Sequence, residues 1–229
     1  MKRIIGRKIS EDQTKDYGSF KVPTLNFELL DTNSQLFRFR WASDIVDNLR
    51  ASGVMTYNLL DVGTYNGALS AIMARKHLNP EDPTSPTINV DALETHKESF
   101  DAADALAKVV RDKGYKMTVH NTRLEEFESD IKYDVIVMFE CLEHTKDPLF
   151  CVEKIYDMLE IGGYLLLTVP EERGTFGLAD KNCWHYWTST VQSLVSTMFY
   201  DDQKWQIRQC FEGQDTLIHC MIKKMSYQA

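Results

Sequence analysis

The stretch Asn58-Leu59-Leu60-Asp61-Val62-Gly63-Thr64-Tyr65-Asn66-Gly67-Ala68-Leu69 decides how this chain is read. A short apolar run enters Asp61, two glycines follow within a tight turn, and a helical apolar pattern begins at Leu69. Such a strand, glycine loop and helix presents backbone N–H groups and a helix N-terminus to a nucleotide-like ligand. Gly63 permits a sharp turn and Gly67 permits close packing or close ligand approach, because neither carries a Cβ. The first expectation is therefore a nucleoside-containing cofactor.

Outward from this loop, strands and helices alternate. A helix is predicted over about 68–78. A loop punctuated by Pro80, Pro83 and Pro86 then leads to a strand over 87–93. A helix over about 97–113 is expected to stop at Gly114, and strands follow over 116–120 and 134–139. A helix over about 149–159, closed by Gly162-Gly163, precedes a strand over 164–169. Val135-Ile136-Val137-Met138-Phe139 and Leu165-Leu166-Leu167 are continuously apolar, as strands of a parallel sheet covered by helices on both faces must be. After a helix over about 189–198, strands over 205–211 and 217–222 are joined by Glu212-Gly213-Gln214-Asp215. That link is too short for anything but an antiparallel pair. Upstream, Asp31 to Ser34 offer helix caps for an apolar pattern from Leu36 to Leu49. Residues 1–30, mixed in character and broken at Pro23, are expected to form an arm or lid, and 31–229 one domain.

Composition narrows the function. A chain of 229 residues, 43% hydrophobic, is long enough for one substantial core. A net charge of -8 disfavours a general attraction to nucleic acid or anionic membrane and better suits a small-molecule or protein substrate. Five cysteines without paired metal-finger spacing suit reduced thiols. No apolar run is long and uncharged enough to span a bilayer, so a soluble, unexported, cytoplasmic protein is expected. Oligomeric state is not legible.

Ligands of doubly wound sheets bind beyond the C-terminal strand ends, and those ends carry acids here: Asp91-Ala92-Leu93-Glu94, Phe139-Glu140 and Val169-Pro170-Glu171. From about Leu59 to Pro170 the pattern resembles the class I S-adenosylmethionine-dependent methyltransferases. Asp61-Val62-Gly63-Thr64-Tyr65-Asn66-Gly67 is similar to that family's first motif. Glu94 is similar to the acid that accepts both ribose hydroxyls, with Asp91 as second choice. Tyr133 to His144 and Leu159 to Pro170 resemble its fourth and fifth motifs. The resemblance implies a Rossmann-like, doubly wound α/β fold with a seven-stranded sheet and an antiparallel C-terminal hairpin, and S-adenosylmethionine as cofactor. It places Asp61, Gly63, Thr64, Tyr65 and Gly67 at the methionine end, Glu94 on the ribose, Asn121 and Thr122 near the adenine, and Phe139 and Glu140 by the reacting centre. Two positions depart from the family: Tyr65 stands where many members have a third glycine, and Asn121 or Thr122 where an acid is frequent.

Methyl transfer is an in-line displacement that depends chiefly on alignment, helped by a base when the acceptor is a hydroxyl. Glu140-Cys141-Leu142-Glu143-His144 offers His144 as that base, with Glu143 beside it and His185 of Trp184-His185-Tyr186-Trp187 as a later partner. A similar Glu-x-x-Glu-His run carries a divalent cation in quinone-biosynthesis O-methyltransferases and in RNA 2′-O-methyltransferases. Glu140, Glu143, His144 and His185 are therefore also candidate ligands for a divalent cation. In the metal-free reading, which is preferred, His144 acts as base or orients its loop. The expected function is methyl transfer to oxygen or nitrogen of a small molecule. The alternatives are cation-assisted 2′-O-methylation of RNA and a catalytically silent binding module of the same fold.

Overall fold

The structure, a computed structural model, describes residues 7–8, 22–23, 25–30, 37–51, 53–76, 79, 82, 84–171, 184–185, 188–196, 205–212 and 215–225. Two compact units emerge. One comprises residues 20–137, the other residues 1–19 with 138–229. Most of the arm expected over 1–30, including Tyr17 and Phe20, and the helix caps expected at 31–34 lie outside the described residues.

The 20–137 unit is built on strands β2 (Thr56–Val62), β3 (Thr87–Leu93), β4 (Lys116–His120) and the first residues of β5 (Tyr133–Phe139). Their order is β4-β3-β2-β5, with parallel pairing throughout this unit. Leu59, Leu60, Val62, Val135, Ile136 and Val137 are buried, because helices rather than water meet these strands. Helix α1 spans Phe37–Ala51, α2 Ala68–Arg75 and α3 Lys97–Asp112. In α3, Ser99, Ala103, Leu106, Ala107 and Val110 form the buried face at helical spacing. Gly114, at φ +85°, ends the helix as its sequence position predicts, with Tyr115 N–H closing back on the Val110 carbonyl at 3.2 Å.

Helix α2 is shorter than the 68–78 expected, ending at Arg75. The short 3-10 helix Phe27–Leu29 sits where the sequence showed no periodicity. Phe27 is buried between the Arg75 guanidinium, 5.1 Å from its ring centre, and the Lys113 ammonium at 5.7 Å, and Arg75 donates to its carbonyl at 3.0 Å. This segment is thereby pinned to the C-terminal ends of α2 and α3.

In the other unit, β6 (Leu159–Pro170) pairs antiparallel with β9 (Asp215–Lys223), and β9 with β8 (Trp205–Glu212). The C-terminal antiparallel hairpin expected from sequence is present. Helix α4 (Pro148–Met158) precedes β6, and α5 (Thr188–Ser196) packs on α4, β8 and β9. A two-residue ribbon joins β1 (Arg7–Lys8) to β7 (Trp184–His185). One expectation fails here. Gly162-Gly163 does not close a helix but lies inside β6, which begins directly at Leu159. Gly162 N–H donates to the Lys224 carbonyl at 2.7 Å and Lys224 N–H to the Gly163 carbonyl at 2.9 Å, so the pair continues the β6–β9 ladder rather than serving as a helix stop.

Candidate functional site

The glycine loop follows β2 without slack. Gly63 N–H and Thr64 N–H both donate to the Leu93 carbonyl at 3.0 Å, which ties the loop entry to the end of β3. Gly67 N–H donates to the Thr64 carbonyl at 3.1 Å, and Ala71 N–H to the Gly67 carbonyl at 2.9 Å, so the loop runs directly into α2. Gly63, Tyr65 and Gly67 all lie at positive φ, +77°, +56° and +80°. At Gly67 a Cβ would come within 3.2 Å of the Ala103 Cα in α3, so its glycine serves helix packing.

Asp61, buried at the end of β2, accepts from the Thr64 hydroxyl at 2.8 Å and the Ser70 hydroxyl at 2.6 Å, both on Oδ2. Burial raises its pKa to about 6, against the two hydroxyl donors, which pull it down. Asp61 thus shapes the loop from beneath. Ser70, inside α2, has no sequence signal for this role.

Glu94 stands just beyond β3. Its Oε1 accepts from Thr95 N–H and His96 N–H, each at 2.8 Å, and its Oε2 from Tyr65 N–H at 2.9 Å. Burial raises its pKa, opposed by the backbone N–H groups of His96, Thr95 and Tyr65. Asn121 donates its side-chain amide to the Glu94 carbonyl at 2.9 Å, and Glu94 N–H reaches the His120 carbonyl at 3.1 Å. The Thr122 hydroxyl points to the Arg123 carbonyl at 3.4 Å. The loop, Glu94 and Asn121 are therefore one hydrogen-bonded group. Asp91, the second choice for the ribose, is committed elsewhere: its oxygens take His120 Nε2 at 2.8 Å and the Tyr133 hydroxyl at 2.9 Å.

In the 138–229 unit, Phe139 ends β5 and Glu140 turns the chain at φ +49°, with its N–H on the Thr168 carbonyl at 3.0 Å and the Thr168 hydroxyl at 3.2 Å. A 3-10 turn over Leu142–His144 follows. Glu143 is buried, and its Oε1 lies 3.8 Å from Nε2 of the part-exposed His144, an ion-pair distance when the imidazole is protonated. Strand β7 packs against this turn, so the backbone of His185 is brought beside Glu143 and His144, while its side chain lies outside the described residues. Among the described residues no three His, Cys, Asp or Glu side chains gather as a metal-holding group. Glu140, Glu143 and His144 alone thus do not assemble the cation site considered from sequence.

The family described as "Methyltransferase domain" matches residues 33–214. The chain belongs to that family. Two curated relatives are ubiquinone biosynthesis O-methyltransferases. The one from Actinobacillus pleuropneumoniae serotype 7 (strain AP76) is 27% identical over 125 residues, covering 52% of this chain and 48% of the relative. The one from Shewanella pealeana (strain ATCC 700345 / ANG-SQ1) is 32% identical over 120 residues, covering 52% and 45%. The chain spans about half the length of these curated relatives. Among solved structures, the plantazolicin methyltransferase BpumL, in complex with a pentazolic desmethylPZN analog and SAH, superposes with a TM-score of 0.63 at 14% identity, covering 86% of this chain and 88% of that one. This methyltransferase-domain protein accordingly has the class I α/β fold, as its strand order within each unit and its antiparallel hairpin require. No helix among its described residues is long and apolar enough to cross a membrane.

Proposed function

We propose that this methyltransferase-domain protein transfers the methyl group of S-adenosylmethionine to an oxygen or nitrogen of a small-molecule acceptor. The observation that carries the reading is the coupling of the glycine loop to Glu94: a carboxylate at the end of β3, anchored by three backbone N–H groups, still has acceptor capacity on Oε2. That arrangement fits a ribose hydroxyl. The family match, the names of the curated relatives and the net charge of -8 support a small-molecule acceptor.

When bound, the cofactor supplies a methyl group on a sulfonium centre. The residues then divide the work. Asp61 fixes the loop through Thr64 and Ser70, and Gly63, Thr64, Tyr65 and Gly67 border the methionine end. Glu94 holds the ribose, with Asn121 and Thr122 toward the adenine. By the family resemblance Phe139 and Glu140 line the cofactor. His144 takes the acceptor proton, with Glu143 and His185 as its supporting groups. No step in this scheme calls on a cation. Cys141, Cys151 and Cys220 are not joined in disulfides, which suits a cytoplasmic setting.

Calorimetry with S-adenosylmethionine and S-adenosylhomocysteine tests the proposal. Binding of both is expected, with a loss of about tenfold or more for Glu94→Ala, since a hydrogen bond to a charged group contributes about 1.5–3 kcal/mol. Absence of binding to either would leave a methyltransferase-like binding module instead.

A further inference from the structure

We infer that Glu94 is a positioning residue as well as the ribose acceptor: its carboxylate clamps the glycine loop into the left-handed turn at Tyr65, and a side chain at position 65 makes the loop's ligand-ready shape depend on that clamp. The inference rests on the cofactor reading of Glu94 and adds a second role to it.

Tyr65 is the position where the loop is hardest to hold. At φ +56° its Cβ crowds the following carbonyl, a conformation that glycine adopts freely and tyrosine does not. Its ring offers a weak anchor, because the residue is 46% exposed. The loop entry is fixed by Leu93 and its exit by the bond from Gly67 to Thr64. Between these two points the tie is Tyr65 N–H to Glu94 Oε2 at 2.9 Å.

Glu94 is suited to be a clamp because it is itself immobilised. Thr95 and His96 N–H groups hold Oε1, and the Glu94 backbone is fastened on both sides by His120 and Asn121. A carboxylate offers about four acceptor positions. Three are filled by N–H groups, so one remains on the oxygen that Tyr65 already uses. A ribose hydroxyl and the loop therefore share Oε2, and a ligand can enter without the loop letting go. Where a glycine stands at this position, the turn needs no such tether. The tyrosine side chain is thus what couples the loop's shape to Glu94.

The test combines amide hydrogen exchange on the ligand-free full chain with S-adenosylhomocysteine calorimetry, for wild type, Glu94→Ala, Tyr65→Gly and the double variant. Glu94→Ala is expected to cut protection of the Tyr65 amide about tenfold or more without ligand, because local opening is then opposed by one tie fewer. In the Tyr65→Gly background the affinity penalty of Glu94→Ala is expected to be smaller by about threefold or more, a non-additivity that a purely structural or purely ligand-binding carboxylate would not produce. If Glu94→Ala does not fold, Glu94→Gln, which keeps one acceptor oxygen, enters the same comparison. Unchanged Tyr65 protection, or equal penalties in both backgrounds, would overturn the clamp. If the wild type binds no S-adenosylhomocysteine, the cofactor reading falls, and the exchange measurement alone decides whether the clamp exists.

Discussion

Asp61 shows how a single residue joins stability to the site. Its carboxylate is buried under the glycine loop and accepts two hydroxyls, yet burial outweighs them and lifts its pKa from 3.8 to about 6. The folded protein then holds this proton more tightly than the unfolded chain does between about pH 4 and 6. Stability contributed at Asp61 is present below that window, falls as pH rises through it, and is flat above. Asp61→Asn keeps an acceptor oxygen and removes the titration. The stability difference, wild type minus Asp61→Asn, should therefore drop by about 2–3 kcal/mol from pH 4 to pH 7 in urea unfolding. A difference that does not change with pH would show that the carboxyl is solvated. The acid itself was legible from its place before Gly63. Its hydroxyl partners were not, since Ser70 is indistinguishable in sequence from any other helix serine.

Among elements, those with a local chemical start signal were the most legible. Strand β3 matches its predicted span of 87–93, and α3 stops where Gly114 allows it to. Helix α4 begins one residue earlier than predicted because Pro148 fits the first helical position and Asp147 caps it, accepting from Leu149 N–H and Phe150 N–H at 3.1 Å each. Asp147→Ala should cost about 1 kcal/mol in chemical denaturation and Asp147→Ser much less. Equal losses would assign the effect to something other than the cap. Gly162-Gly163 misled because a glycine pair after an apolar helix ordinarily signals a stop. Here the stop is made by tertiary bonds from Lys224, 65 or more positions away, which no local pattern carries. The Phe27 anchor was hidden for the same reason: three residues make no period, and its cationic neighbours come from α2 and the end of α3.

At the scale of the whole molecule, the repeated alternation of strand and helix made the fold class legible, while the acceptor site was not, because fold alone leaves it open. Ligand linkage offers a global check on the proposed function. S-adenosylhomocysteine at a hundred times its dissociation constant should add about 2.7 kcal/mol to folding, which for a chain of this size raises the melting temperature by about 5–10 °C. No shift at saturating ligand would contradict the calorimetric reading. Lys224 reports on the docking of the last strand. Its ammonium donates to the Tyr156 and Leu159 carbonyls at 2.6 and 2.9 Å and rests 4.3 Å from the Tyr156 ring centre. Engaged in this way at the end of α4, it is a poor nucleophile toward acylating reagents while that strand stays in place. Its acylation under mild labelling thus becomes a built-in gauge of when the strand peels away, readable by mass spectrometry against the exposed Lys97 and Lys108.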